Sequence, residues 1–321
     1  MSREITIDPI TRLEGHGKIS IFLDDDGAVE DCYFQIPELR GFERFVEGRP
    51  IEELPRIVTR ICGVCPASHH MASAKAVDGC FGHQVPPLAH KLREMYYNAH
   101  YIHSHTAHFY ALAAPDFVCG PDADPAERNI LGVVAKVGLE IGGKVIEARS
   151  QAQRIQTIIG GRSTHLVWCL PGGVSKGLKK EELEEIRPLV ANLYDFTQFS
   201  LQLFRDVVLG NEAYVDLILN GPYTLDLHHM GLVDENLAPN FYDGQVRVMD
   251  TEGVEICRYK ENEYAGHVAE HVEPWTYLKF PYLKQRGWQG FIEGKDSPLY
   301  TATPLSRLSV AERRATPGAQ E

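Results

Sequence analysis

An α+β fold, mainly helical, in which a large helical bundle accompanies a small N-terminal antiparallel β-sheet, is predicted by three observations. Short segments rich in β-branched and aromatic residues occupy 3–8, 17–24 and 29–36. Long helical patterns with proline-marked starts run from about residue 52 to 209. After residue 210 the texture changes to turns and short strands. Together these describe strands and helices segregated along the chain, the mark of an α+β arrangement.

Each element has a local reason. Asp24-Asp25-Asp26-Gly27 is a turn signal between the second and third strands, so these pair antiparallel. Glu14 then falls in the Gly-bearing segment joining the first two strands. Residues 52–61 read as helix or turn. Pro86-Pro87 opens a helix to Ala114, since proline in a first turn sacrifices only an N–H that has no helical partner. Pro125 opens another helix through Ile159, and a third spans about 180–209 from Lys179-Lys180-Glu181-Glu182. Strands are expected at Gln245–Asp250 and Val254–Tyr259. The predicted organisation is one domain over 1–321, with a β-rich part to 40, a bundle over 41–210 and a mixed part over 211–321.

Composition narrows the function classes. With 44% hydrophobic and 24% charged residues, the chain can bury a sizeable core. A formal charge of −12 disfavours nucleic acid and anionic membrane surfaces, which both attract basic protein faces. No apolar run approaches the roughly 20 residues that span a bilayer. The start, Met1-Ser2-Arg3-Glu4-Ile5-Thr6, lacks the apolar core of a secretory leader, so a cytoplasmic address is expected.

The most informative run is Arg60-Ile61-Cys62-Gly63-Val64-Cys65-Pro66-Ala67-Ser68-His69. Two thiolates three positions apart reach one soft metal or bridge two, with His69 as a further ligand or as a hydrogen-bond donor to a ligand. A redox dithiol would follow a strand, which 52–61 is not. Structural zinc needs a second ligand pair, and the chain has no second C-x-x-C. A disulfide is disfavoured in a reducing compartment. Cys32, Cys80, Cys119, Cys169 and Cys257 are scattered singly, as buried apolar cysteines are.

Two further features compete for attention. His90, His100, His103, His105 and His108 crowd one predicted helix, interleaved with Tyr96, Tyr97, Tyr101, Phe109 and Tyr110; they read as packed histidines bonded to neighbouring carbonyls rather than as ligands. Glu14 is flanked by Gly15 and Gly17, with Arg12 and His16 as candidate partners. Glu43 reads either as a hard oxygen ligand or as a surface helix residue beside Arg44 and Glu47.

The run at 60–69 resembles the N-terminal cysteine motif of nickel-iron hydrogenase large subunits. The resemblance extends through Asp8-Pro9-Ile10-Thr11-Arg12-Leu13-Glu14-Gly15-His16-Gly17, Leu39-Arg40-Gly41-Phe42-Glu43, and Gly160-Gly161-Arg162-Ser163 leading to Pro171-Gly172-Gly173-Val174, in the family's order. Glu273-Pro274-Trp275-Thr276-Tyr277-Leu278-Lys279-Phe280-Pro281 and the tail through Ala315-Thr316-Pro317 resemble the cytoplasmic, methyl-viologen-reducing branch linked to heterodisulfide reductase.

The resemblance implies heterolytic cleavage or formation of dihydrogen at a nickel-iron centre whose iron carries diatomic ligands. By motif position, Cys62 is a terminal nickel ligand and Cys65 bridges nickel and iron. His69 hydrogen-bonds the bridging sulfur, and Arg60 is a further cofactor contact. Glu14 carries protons away, and Glu43 helps hold a magnesium-type ion. Clustered cysteines of an iron–sulfur protein are lacking, so those clusters are expected in a small electron-transfer subunit, with an acceptor subunit or heterodisulfide reductase beyond it. The family takes four cysteines for its metals, two of them from a motif near its C-terminus. This sequence has only the first pair, so it reads as a fragment, as half of a split protein, or as degenerate. A structural subunit of the quinone-oxidoreductase type, with the same scaffold and no nickel, is the alternative, as is a non-catalytic fragment.

Overall fold

The computed structural model describes residues 3–38, 40–222 and 224–320; Leu39 of the Leu39–Glu43 motif and the terminal Glu321 lie outside them. In chain order the elements begin with β1 (Arg3–Ile7), β2 (Lys18–Leu23) and β3 (Val29–Gln35). Helices follow: α1 (Phe42–Phe45), α2 (Leu54–Ile57), α3 (Pro66–Phe81), α4 (Pro87–Ala107), α5 (Ile130–Val137) and α6 (Leu139–Gly160). A two-residue ladder, β4 (Cys169–Leu170) and β5 (Gly173–Val174), precedes α7 (Lys180–Phe204) and α8 (Glu212–Asn220). The remainder comprises β6 (His228–Val233), β7 (Gln245–Met249), β8 (Glu255–Lys260), α9 (Tyr264–His267), β9 (Val268–Val272), β10 (Lys279–Leu283), β11 (Tyr300–Thr301) and α10 (Pro304–Ser309). The fold is mainly helical α+β with an N-terminal three-stranded antiparallel sheet, as the sequence predicts.

Two compact units emerge. One gathers residues 1–10, 16–38 and 220–321; the other gathers 11–15 and 39–219. In the first unit, β1, β2 and β3 pair antiparallel, with Ile5 opposite Ile21 and Ile21 opposite Cys32. A four-stranded sheet has the order β11-β6-β7-β8, with β11 parallel to β6, and β9 and β10 form a separate hairpin. Val233, Met249 and Val310 form one core of this unit, and Val248, Tyr259 and Leu283 another. The stretch after 210 is therefore more regular than its turn-rich sequence suggests, because strands far apart in sequence complete its sheet.

The second unit is built on α4 against α6, and α6 against α7. Gly160 is required where α6 ends on Tyr96, because a Cβ there would lie 2.6 Å from the tyrosine ring. Tyr96 is fully buried and its hydroxyl donates to the Arg162 carbonyl at 2.9 Å.

Two predicted helix boundaries are corrected. The helix expected from Pro125 to Ile159 is two helices. Asn129 caps the first by accepting from the N–H groups of Leu131 and Gly132, and Gly138 at φ 91° separates it from the second. The helix expected to end at Ala114 continues to Cys119 in wide π-type turns, His108–Ala113 and Pro115–Cys119. Among the singly placed cysteines only Cys169 is buried, and Cys32 and Cys80 are exposed, so the reading of all five as buried is corrected too.

Of the five clustered histidines only His100 and His103 are buried; His105 and His108 are exposed, His105 Nδ1 lying 2.8 Å from the Tyr101 carbonyl, and His90 has a carboxylate one turn on, Glu94, at 3.5 Å. Burial, then the neighbouring His103 and His105, pushes His100 down to about 4; burial and Arg149 do the same to His103. Because both pKa values fall below the unfolded value of about 6.5, the unfolded chain binds more protons between the two values, and stability falls as pH falls through that window. Each imidazole contributes a slope of up to about 1.4 kcal/mol per pH unit there. Thermal melts should drop steeply between about pH 6.5 and 4, and His103→Gln should flatten that drop. An unchanged acid limb in that variant would count against His103.

Candidate metal centre

The centre is assembled at the start of α3. The buried residues Ala67, His70, Met71, Ala74, Val77 and Asp78 recur at helical spacing and turn one face of α3 inward. Buried His70 fixes that face at both ring nitrogens, with Nδ1 2.7 Å from the Pro55 carbonyl and Nε2 accepting from the Cys169 N–H at 3.0 Å. Cys65 and His69, four apart, share another face. Before the helix, fully buried Thr59 donates to the Arg56 carbonyl at 2.7 Å, and its own carbonyl lies 2.9 Å from His165 Nδ1.

Cys65 caps α3, with Pro66 at the first helical position, and its backbone N–H donates to Cys62 Sγ at 3.1 Å. The helix N-terminus favours a thiolate at Cys65. Burial opposes it more strongly, followed by the hydrogen bond and charge of Cys62 and then the charge of Glu14, so the Cys65 thiol is pushed up to about 12. Two sulfurs this close do not share two negative charges unless a cation joins them. Burial also lowers the His69 pKa, holding the ring in the neutral form that ligates a metal or donates one N–H.

One ligand atom from each of Cys62, Cys65 and His69 lies within 4.8 Å of the other two, and no other group of three or more such ligands occurs among the described residues. Two sulfurs on one ion sit at most about 4.6 Å apart, so this spacing is nearly that of a common metal. The donor set is soft and suits a transition ion of the nickel, iron or zinc kind.

Glu14 comes to the same place from another part of the chain. Cys62 Sγ donates to Glu14 Oε1 at 3.2 Å. The partners expected for Glu14 are otherwise engaged. Arg12 meets Asp116 at 2.6 Å and the Leu112 carbonyl at 3.3 Å, and His16 meets Glu38 at 2.5 Å.

The other expected residues stand apart from the ligand group. Glu43 is exposed in the first turn of α1. Arg60 donates to Thr59 Oγ1 at 2.8 Å and, with Arg40, Arg56, Phe42, Phe45 and Ile57, lines a cavity of about 490 Å³. A smaller cavity of about 110 Å³ borders Gly63, Val64 and Pro66 and is walled by His100, His103 and Arg149. Sequence reasoning missed Asp116, His70 and Asp78; no spacing ties them to the cysteines.

A family model described as nickel-dependent hydrogenase matches residues 40–133, and a HoxL-like model matches residues 4–39. An F420-non-reducing hydrogenase iron-sulfur subunit from Archaeoglobus profundus is 46% identical over 319 residues, covering 99% of this chain and 65% of that protein. The vhu-type F420-non-reducing hydrogenase subunit from Methanocaldococcus jannaschii is 42% identical, with 99% of this chain and 73% of that protein covered. Both relatives are named as F420-non-reducing hydrogenase subunits, in keeping with the family resemblance read from the sequence. The chain thus spans about two thirds of the length of these relatives. A crystal structure of an NAD+-reducing [NiFe]-hydrogenase in the H2-reduced state superposes with a TM-score of 0.89 at 35% identity, over 99% of this chain and 68% of that one. Identity and coverage at this level place the chain in the nickel-dependent hydrogenase large-subunit family.

Proposed function

We propose that this chain is the catalytic subunit of a nickel-iron hydrogenase that cleaves or forms dihydrogen heterolytically. The observation that carries the reading is the meeting of Cys62, Cys65 and His69 within 4.8 Å, with Glu14 3.2 Å from the Cys62 sulfur. Cys62 and Cys65 would hold the nickel-iron centre, with His69 placed beside their sulfurs and Arg60 as an outer contact. When bound, the centre, with diatomic ligands on its iron, supplies the Lewis acidity and redox flexibility that split dihydrogen.

The chain's own residues do the rest. The Cys62 sulfur holds the proton and passes it to Glu14, whose exposed carboxylate hands it to solvent. Glu43 would contribute a carboxylate to a magnesium-type ion. Two further thiolates come from polypeptide outside these residues. Electrons leave through an iron–sulfur small subunit toward an acceptor subunit or heterodisulfide reductase, in the cytoplasm. No helix among the described residues is long and apolar enough to cross a membrane.

Nickel analysis of the assembled complex tests this. With the Cys65 thiol pushed up to about 12, and with the Cys62 thiol also giving up its proton to a metal, loading releases protons, so apparent affinity should rise at least about tenfold per pH unit between about pH 6 and 8. The complex should carry near-stoichiometric nickel and exchange dihydrogen with solvent deuterons, and Cys65→Ser should lose both. Full nickel in Cys65→Ser, or an active complex without nickel, would overturn the reading.

A further inference from the structure

Residues 11–15 belong with the helical unit, although 1–10 and 16–38, on either side, belong with the sheets. Two side chains fasten this pentapeptide to its unit. Glu14 meets Cys62 at its far end. Arg12, two residues earlier, places Nη1 2.6 Å from Asp116 Oδ2 and donates to the Leu112 carbonyl at 3.3 Å. Asp116 is also 3.8 Å from Arg128 Nε, so its carboxylate is held from two sides.

The backbone supports an anchoring role. Arg12 has φ 56°, in the left-handed region that a bulky side chain rarely adopts. Such a conformation persists where surrounding contacts over-determine it, and these are concentrated at functional sites. The acceptors are unusual as well. Leu112 and Asp116 lie in the π-type turns that extend α4, where the backbone pattern is displaced and carbonyls become available to side chains.

We infer that Arg12 is a positioning residue: bound to Asp116 and to the Leu112 carbonyl, it holds the pentapeptide so that the Glu14 carboxylate stays within hydrogen-bond reach of the Cys62 sulfur. This rests on the proposed proton-carrying role of Glu14 and adds the residues that place it. Arginine suits the task because one Nη carries two N–H groups, enough for the carboxylate and the carbonyl together. The proton itself moves only from the Cys62 thiol to the Glu14 carboxylate, and Arg12 keeps its charge throughout.

The test compares Arg12→Ala, Asp116→Asn and Arg12→Lys with Glu14→Gln in the assembled hydrogenase. Two reactions separate placement from collapse of the site. Conversion of para- to ortho-dihydrogen needs splitting and recombination within the site, whereas exchange with solvent deuterons needs the proton to leave. Arg12→Ala and Asp116→Asn should keep nickel and keep para–ortho conversion within about threefold, while exchange falls about 30-fold or more, approaching the loss from a missing acid–base group. Arg12→Lys should recover part of the exchange. Arg12→Ala combined with Glu14→Gln should be no worse than Glu14→Gln alone, since both remove one step.

A geometric readout needs no metal. In a Glu14→Cys variant of the nickel-free complex, a two-carbon bis-thiosulfonate should link position 14 to Cys62, and adding Arg12→Ala should slow linking at least tenfold. Unchanged exchange and unchanged linking on loss of Arg12 would overturn the inference. So would loss of nickel in both Arg12→Ala and Asp116→Asn, which would make Arg12 a structural anchor of the site. Full exchange in Glu14→Gln would instead sink the proton-carrying role of Glu14, with the linking result still deciding what Arg12 does.

Discussion

Glu14→Gln in the assembled enzyme should keep its nickel and lose roughly 100-fold or more of its dihydrogen–deuteron exchange. Glutamine preserves the length of the side chain, and its amide oxygen still accepts from the Cys62 thiol, now 3.2 Å from Glu14 Oε1. It does not take up a proton near neutral pH. Structure and transfer are thereby separated at one atom. Cys65→Ser should behave differently and lose the metal itself, because it removes one of the two sulfurs that these residues offer. Full exchange in Glu14→Gln would make Glu14 a turn residue, and loss of nickel along with exchange would make its role structural.

Asp78→Ala should cost about 3–5 kcal/mol, because it strands a buried cation. Arg93 is fully buried, and its Nη1 is 2.5 Å from Asp78 Oδ2. Its Nη2 donates to the carbonyls of Leu170 at 2.9 Å and Gly173 at 2.7 Å, while Asp78 Oδ1 accepts from the Gly172 N–H at 2.6 Å. This network ties α3 and α4 to the β4–β5 ladder. In a unit of this size the loss corresponds to a melting temperature about 10 °C lower. Glu185→Ala, at the exposed Arg154–Glu185 pair 2.6 Å apart, should leave melting nearly unchanged, since water screens and replaces that bond. A similar small effect at Asp78 would show that the network relaxes around the loss. Because α3 begins at the metal ligands, Asp78→Ala should also lower nickel retention on warming.

Local signals were readable wherever a pattern lay within one stretch of chain. The N-terminal sheet was legible because alternation and the Asp24–Gly27 turn lie side by side, and α7 because its start at Lys180 carries acidic residues in the first turn, Glu182 accepting the Lys179 backbone N–H. The break at Gly138 was missed because apolar periodicity continues across it and only the backbone, at φ 91°, turns. The extension of α4 past Ala114 was missed for a related reason: Pro115 reads as a stop, yet a π-type turn accommodates it.

The site divides along the same line. The sequence by itself determined the ligand chemistry, since Cys62, Cys65 and His69 lie within eight residues and a helix start at Pro66 puts Cys65 and His69 on one face. The family resemblance already singles out Glu14, but tertiary structure alone supplied its contact with the Cys62 sulfur. Glu14 is 48 positions from Cys62, and Arg12 is 104 positions from Asp116; no local propensity encodes either meeting. It also withheld Arg12 and His16 from Glu14, and set Arg60 and Glu43 outside the ligand group. The reason is physical: helix and turn signals act over a few bonds, whereas a hydrogen bond between distant residues forms only once packing has offset the chain entropy of bringing them together.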